Sequence, residues 1–443
     1  MRKILILLTT VCLAAAFICT PKSAFADDID AVNRRIASIP KDWPEAPKIG
    51  AQAAILMDAD SGAILYAKNA TAIAYPASTT KLMTALLTLE IASLSDIVTF
   101  SQTAVMIPAG SSHIGMRRGE QMLLRECLLG LLLPSANEVA NALAEHVGGN
   151  ITSFVQLMNE RAFNLGCVNT RFVNANGLHD EDHYTCCYDL ALIMQALATN
   201  NTFTDISGTP SYVHHADELL PKDIPMMNTN QMVRSSTSYY NEYVICGKTG
   251  HTEESGYNLV IYAEKDGVRL ISVVMGCEKD QEYVATQSLL DYGFNYFHPV
   301  LPAELDRSLN MDNAFTSSPL KIPTRTASIL TIDATDTILL PDNVTFDMLE
   351  KRVADTENGK LITYTYQDYP LGTVSLLPGL EGNDDPMYET REEEPYVIEE
   401  VTALHSIDGW LLLSLATLLL LFILLTFILY HWRYPRKKRR KAF

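Results

Sequence analysis

The chain of 443 residues reads as an α/β protein: a sandwich around one mostly antiparallel sheet with helices on both sides, followed by a small all-β domain and a C-terminal transmembrane helix. Three observations predict this order. Strand patterns occur at both ends of a region reaching about Pro299, with helical patterns between them. Short strand-like runs punctuated by Pro319, Pro323, Pro341, Gly359 and Gly372 fill residues 300–380. Beyond them, Trp410 to Tyr430 holds no charged residue.

From the N-terminus, Arg2 and Lys3 precede the apolar run Ile4 to Cys19, and Ala24-Phe25-Ala26 stands before Asp27 and Asp28. This layout predicts a secretory signal over 1–26, cleaved after Ala26, with a leader over 27–47. Ala53 to Met57 and Ala63 to Ala67 flank Asp58-Ala59-Asp60-Ser61-Gly62, a hairpin pattern. Helical spacing then covers 79–93, 120–133, 138–147, 151–165 and 187–199. Tyr257 to Glu264 and Val268 to Gly276, joined by Lys265-Asp266-Gly267, read as a second pair of strands before a helix over 283–297. These elements make one domain over 48–299, with the β-rich domain over 300–380.

Residues 381–409 form an acidic stalk: 381–400 hold nine acids against the single base Arg391, a composition that self-repels and builds no core. The 410–430 run is about 21 residues, which at roughly 1.5 Å per residue spans a hydrocarbon core of about 30 Å. Trp410, Tyr430 and Trp432 sit at its ends as interface anchors, and the tail 431–443 carries seven basic residues. That asymmetry predicts a body outside the cell membrane and a cytoplasmic tail.

Removing the three bases of the signal and the seven of the tail leaves 24 bases against 52 acids, a net charge of about −28 on the outer part. Such a surface excludes nucleic acid and anionic lipid as partners of the body. Cys127, Cys167, Cys186, Cys187, Cys246 and Cys277 lack the paired spacing of a zinc site and are expected mostly as buried free thiols. No histidine cluster points to a metal.

The chemistry centres on Tyr75-Pro76-Ala77-Ser78-Thr79-Thr80-Lys81-Leu82-Met83-Thr84. Pro76 disfavours helix at Tyr75, and Leu82, Met83, Leu86 and Leu89 recur at helical spacing, so a helix begins near Ser78. Ser78 and Lys81 then share one face, close enough for an amine of lowered pKa to take the serine proton. Alone, the pattern equally describes a serine N-cap followed by a solvated lysine.

Downstream, Pro134 ends an apolar helix and Ser135-Ala136-Asn137 precedes another. The hydroxyl can pass a proton and the amide can orient Lys81 and a substrate carbonyl, although an ordinary N-cap looks the same. Gly247-Lys248-Thr249-Gly250-His251-Thr252 follows strand-like Tyr243-Val244-Ile245. Here glycines admit a ligand to the edge backbone, Lys248 supplies a cation, and Thr249 and Thr252 supply hydroxyls for a carboxylate. The bland alternative is a glycine-rich turn.

In this order, S-x-x-K, S-x-N and K-T-G are the signature of active-site serine β-lactamases and penicillin-binding proteins. With Asn174-Ala175-Asn176-Gly177-Leu178, His183-Tyr184 and the run Lys248 to Val260, the sequence resembles the low-molecular-mass penicillin-binding proteins that act as serine-type D-Ala-D-Ala carboxypeptidases. The resemblance covers roughly 50–298, and the β domain more loosely. It implies a β-lactamase/transpeptidase-like fold, Ser78 as acylated nucleophile, Lys81 as base, and Ser135, Asn137 and Lys248 as the proton and carboxylate network. It further implies Thr249 and Thr252 facing the substrate carboxylate and, flanking Gly250, an oxyanion hole from the backbone N–H groups of Ser78 and His251.

The same resemblance implies no cofactor, a peptidoglycan stem peptide as substrate, and β-lactams as covalent inhibitors. Two departures stand out. Ala136 occupies a position usually held by glycine, and Glu278-Lys279-Asp280-Gln281-Glu282-Tyr283 replaces a segment that often carries a carboxylate-binding arginine, leaving Lys279 as the nearby cation. Alternative readings are a β-lactamase or endopeptidase, although no motif ties Glu218, in the loop before K-T-G, to a deacylating role, or a non-catalytic β-lactam sensor. The appended β domain, the anchor and a tail of about a dozen residues favour the carboxypeptidase.

Overall fold

The computed structural model describes residues 24–306, 330–356 and 359–378. Expectations for the signal up to residue 23, the acidic stalk, the 410–430 span and the basic tail concern residues outside these. Among the described residues, no helix is long and apolar enough to cross a membrane.

Strands β1 (Ala53–Asp58), β2 (Ile64–Lys68), β3 (Val244–Thr252), β4 (Gly256–Lys265) and β5 (Val268–Cys277) form a five-stranded sheet in the order β2-β1-β5-β4-β3. Every neighbour is antiparallel. The early hairpin therefore joins the late one at the sheet centre, and the K-T-G strand is left on an edge. Alternation along the strands assigns side chains to two layers. Ala53, Ile55 and Met57 of β1, with Ile271, Val273 and Met275 of β5, face one apolar cluster. Ala54, Leu56, Leu270 and Val274 face the other.

The first cluster is closed by α1 (Lys81–Ile91), α2 (Leu124–Leu132), α3 (Asn137–Gly148), α4 (Ile151–Asn164) and α5 (Cys187–Ala198), through residues such as Leu82, Leu128, Leu143, Phe154 and Ile193. The second is covered by α6 (Gln281–Tyr296) through Tyr283, Leu289 and Leu290, and by Trp43. The sandwich with helices on both sides is thus as expected.

Three local expectations are corrected. The helix expected to begin near Ser78 begins at Lys81, preceded by a 3-10 turn over Ala77–Thr80. Thr79 sends both its N–H and its hydroxyl to the Pro76 carbonyl (3.2 and 2.8 Å), which tightens this turn. The helix expected over 120–133 begins at Leu124, because Gln121–Leu123 pairs with Ile97–Thr99. The N–H groups of Leu124 and Arg125 are likewise directed outward, to the carbonyls of Asp96 and Leu94. The last helix of the sandwich stops at Tyr296, after which Phe297–Val300 pairs with Ile338–Pro341.

In the β-rich region, Leu330–Ile332, Tyr369–Pro378, Gly359–Tyr366 and Glu350–Thr356 form a four-stranded antiparallel sheet in that spatial order. Ile338, Ile362, Tyr364, Tyr369 and Val374 share one cluster with Leu56 and Leu289 of the sandwich. Tyr369 donates its hydroxyl proton to Ile64 O (2.8 Å) and accepts from Ile64 N (2.9 Å), so a buried phenol joins the outer strand β2 to this sheet.

Candidate active site

The turn bearing Ser78 is fixed by backbone contacts that only particular residues permit. Ala77 adopts φ +48°, an uncommon conformation for a side-chain-bearing residue. Gly177, at φ +86°, lies so close that a Cβ there would sit 1.9 Å from Ala77 O. Gly250 of β3 packs from another side, where a Cβ would meet Pro76 O at 2.8 Å. Asn258 Nδ2 donates to Tyr75 O (2.9 Å) and Pro76 O (3.2 Å), and its Oδ1 accepts from Gly276 N (2.9 Å).

Behind Ser78, Lys81 is completely buried. Its Nζ lies 2.9 Å from Ser78 Oγ, 2.7 Å from Asn137 Oδ1 and 2.5 Å from Asn176 O. Burial drives its pKa well below the usual lysine range, Lys248 adds repulsion, and Glu138 opposes both. A neutral amine fits these contacts completely: two N–H donors meet the two amide oxygens, and the lone pair is left for the Ser78 hydroxyl.

Ser135 follows Pro134 at φ +65° and is buried, with an Oγ that has no hydrogen-bond partner among the described residues. Ala136 is at φ −63°, a conformation open to any residue, so the turn accepts alanine in place of glycine. Asn137, the first residue of α3, points its amide at Lys81.

On β3, Lys248 is 1% exposed, donates to Thr249 O at 2.9 Å, and has its pKa lowered by burial to about 7. Thr249 Oγ1 pairs with Thr229 Oγ1 at 2.7 Å, and Tyr283 donates to Thr229 O at 3.3 Å. The His251 ring stacks on Tyr257 with centroids 4.0 Å apart. Ser78, Ser135, Thr249, Gly250 and His251 all line one cleft of about 310 Å³. Lys279, Asp280 and Glu282 line the same cleft, so the segment that departs from the family pattern reaches the site.

Thr252 is not among the lining residues. Its Oγ1 accepts from Ser255 N (3.1 Å) and its N–H donates to Ser255 Oγ (2.9 Å), a reciprocal pair that closes the β3–β4 turn. Glu218 is exposed on the loop between Ser211–His214 and Ile224–Met227 and does not line the cleft. Glu126, His214 and Asp217 offer ligand atoms within 4.8 Å of one another. His214 Nδ1 faces Glu126 Oε1 (2.9 Å) and Nε2 faces Leu220 O (3.3 Å), which commits both ring nitrogens as donors and raises the pKa of the ring.

Sequence reasoning missed four contributors. Asn176 acts through its carbonyl, Asn258 through its amide, and Ser112 lines the cleft from a loop. Buried His183 accepts from Val173 N at Nδ1 (3.0 Å), so its Nε2–H donates to Thr80 Oγ1 (2.7 Å). The Asn174-to-Leu178 and His183-Tyr184 segments were visible as motifs without a role attached.

Similarity to known proteins agrees with this geometry. The family model described as D-alanyl-D-alanine carboxypeptidase, Peptidase_S11, matches residues 41–279. D-alanyl-D-alanine carboxypeptidase DacF of Bacillus subtilis (strain 168) is 35% identical over 258 residues, covering 56% of this chain and 64% of the relative's length. DacA of Escherichia coli (strain K12), another D-alanyl-D-alanine carboxypeptidase, is 30% identical over 401 residues, 84% of this chain and 92% of that protein. The structure of penicillin binding protein 5 from Haemophilus influenzae matches with a TM-score of 0.58 at 26% identity, covering 75% of this chain and 98% of that one. On these grounds the chain belongs to the S11 peptidases, the D-alanyl-D-alanine carboxypeptidase family.

Proposed function

We propose that the chain removes the terminal D-alanine from peptidoglycan stem pentapeptides through a serine acyl-enzyme, and that β-lactams acylate the same serine. The observation that carries this is the Lys81 amine held between Ser78 Oγ and two amide oxygens, in a pocket that disfavours its charge. Lys81 takes the Ser78 proton as Oγ attacks the penultimate carbonyl. The backbone N–H groups of Ser78 and His251 receive the oxyanion, an interaction whose individual donors are typically worth 10²–10³ in rate. The proton returns to the leaving amine through the Ser135 hydroxyl, and the D-alanine C–N bond breaks. Water then attacks the Ser78 ester and gives a proton to Lys81; the C–Oγ bond breaks, Lys81 returns the proton to Ser78 Oγ, and the shortened peptide leaves with a new carboxylate.

Lys248, Thr249 and Lys279 hold the substrate's terminal carboxylate, while Asn137 orients its amide. The buried hydroxyl of Ser135 and the cation of Lys248 support this division. Thr252 contributes by shaping the turn beside His251. The body is exported by its N-terminal signal and held outside the membrane by residues 410–430, a placement supported by the apolar run and the basic tail.

The test uses the full chain in detergent with a pentapeptide ending in D-Ala-D-Ala. Release of D-alanine, and a penicillin adduct on Ser78 that is lost in Ser78→Ala, is the expected result. Rapid penicillin hydrolysis without D-alanine release would transfer the assignment to a β-lactamase, and an adduct on Ser135 would overturn the choice of nucleophile. Protease digestion of intact cells that removes the body but spares the tail would support the orientation; a protected body would refute it.

A further inference from the structure

Glu282 is the second residue of α6 and lines the cleft together with Ser78, Thr229 and Thr249. It is 4% exposed, and its Oε2 is buried without a hydrogen-bond partner among the described residues. The next residue, Tyr283, donates to Thr229 O at 3.3 Å, and Thr229 Oγ1 lies 2.7 Å from Thr249 Oγ1. Two contacts thus bring the first turn of α6 up to the hydroxyl of the K-T-G strand.

An acid in the first turn of a helix is ordinarily explained by the positive field of the free N–H groups there. An exposed carboxylate takes that benefit with both oxygens in water. Glu282 is instead buried with one oxygen unsatisfied, a cost that a further donor would offset. Burial accordingly raises its pKa. Among the described residues no donor of the chain takes this oxygen, and the cleft is where a donor from a ligand arrives.

The cleft wall has a definite pattern of donors and acceptors. One of the paired hydroxyls of Thr229 and Thr249 donates to the other, so the pair keeps one proton for a ligand. Glu282 adds an acceptor. Lys279 is exposed and stands beside Asp280, which lines the same cleft, while Lys248 is buried and donates to Thr249 O. A carboxylate only accepts, and it meets Glu282 with like charge. A carboxamide accepts through its oxygen and donates through its nitrogen, which matches one hydroxyl proton and one carboxylate oxygen.

We propose that the cleft takes, besides free-acid peptides, peptides whose leaving residue ends in a carboxamide, with an amide N–H on Glu282 Oε2 and the amide oxygen on the Thr229–Thr249 hydroxyl pair. This deepens the carboxypeptidase reading and rests on it. The bonds are those of that reaction. Ser78 Oγ joins the acyl carbon, the C–N bond to the amide-capped residue breaks as its amine takes a proton, and water then frees the peptide as a carboxylate. Glu282 meets only the far end of the leaving residue, so it acts on the choice of substrate.

The experiment measures kcat/KM at neutral pH for the full chain in detergent with two pentapeptides, one ending in D-Ala-D-Ala and one ending in D-Ala-D-Ala-amide. Wild type, Glu282→Gln and Glu282→Met are compared, with melting temperatures alongside. The wild type should release D-alanine from the first peptide and D-alaninamide from the second. Glu282→Met keeps the shape and removes the acceptor. It should lower kcat/KM for the amidated peptide about tenfold, the low end for a lost hydrogen bond to a charged group, and raise it severalfold for the free acid. Glu282→Gln keeps an acceptor oxygen without the charge, so its loss on the amidated peptide should be smaller than that of Glu282→Met.

A purely structural Glu282 would move both peptides by the same factor, and that result overturns the proposal. A faster free acid beside an unchanged amidated peptide would show repulsion without recognition, and a loss confined to the free acid would make Glu282 a protonated donor to its carboxylate; either overturns it. If Glu282→Met does not fold, Glu282→Gln decides, because a fall on the amidated peptide with a gain on the free acid supports the proposal and any other pattern opposes it. Release of D-alanine without D-alaninamide by the wild type refutes this proposal alone. Release of neither refutes the carboxypeptidase reading beneath it.

Discussion

Asn258 fastens the turn that bears Ser78 to the sheet: its side chain donates to the carbonyls of Tyr75 and Pro76, 183 and 182 positions earlier in the chain. The residue is 1% exposed, so Asn258→Ala takes the side-chain partner from the Tyr75 carbonyl and the Gly276 N–H, while the Pro76 carbonyl keeps its two bonds from Thr79. A loss of about 1–3 kcal/mol is expected in urea unfolding, together with slower penicillin acylation. Unchanged stability and unchanged acylation would show that Gly177 and Gly250 hold the turn by packing alone.

Lys248 gives a pH prediction with a definite sign. Burial brings its pKa to about 7, so the cation that we propose meets a substrate carboxylate is present below that pH and lost above it. KM for a peptide with a free terminal carboxylate should therefore rise between pH 7 and pH 9, while a peptide amidated at its end should not show the change. Lys248→Ala should cost about 1.5–3 kcal/mol in kcat/KM, the value of one charge-assisted contact. Equal pH dependence for the two peptides would detach Lys248 from the carboxylate.

His183 predicts acid sensitivity of the fold. Burial lowers its pKa from 6.5 to about 4, so the neutral ring contributes stability fully above pH 6.5, and this contribution is lost as pH falls through 4. At 1.36 kcal/mol per unit, the contribution is on the order of 3 kcal/mol. Protonation would place a hydrogen on Nδ1, against the Val173 N–H that it now accepts. In His183→Ala the loss of stability between pH 6.5 and pH 4 should shrink by about that amount; an identical acid transition would contradict it.

Gly177→Ala should be the most damaging single methyl in the chain's catalytic half. A Cβ 1.9 Å from Ala77 O cannot be accommodated without backbone movement, and φ +86° adds about 1–2 kcal/mol of its own. Overpacking typically adds about 1–3 kcal/mol more. A folded, fully active variant by circular dichroism and acylation rate would show that the turn is softer than these contacts require.

The three motifs were legible because each concentrates reactive side chains in a few residues, and their order excluded coincidence. The sheet was legible because apolar runs flank turn residues, Asp58-Ala59-Asp60-Ser61-Gly62 in one hairpin and Lys265-Asp266-Gly267 in the other. Asn176 was hidden because its role belongs to a carbonyl that any residue could supply. Asn258 looked like one polar residue in a strand, and its partners are far away in sequence. Gln121–Leu123 matched a helical pattern, but pairing with Ile97–Thr99 overrode local preference. Thr252 fits the carboxylate-binding pattern in sequence, whereas Ser255, three residues on, engages its hydroxyl.

The six cysteines of the described residues are all buried and free. Burial raises the thiols of Cys127, Cys187 and Cys246, and that of Cys277 to about 12, so none offers a thiolate near neutral pH. The native body should consequently be inert to maleimides. One cysteine introduced at exposed Val284 or Met348 would be the single reactive handle on this body, letting a fluorophore or a solid support be attached at a chosen point with every native thiol left in place.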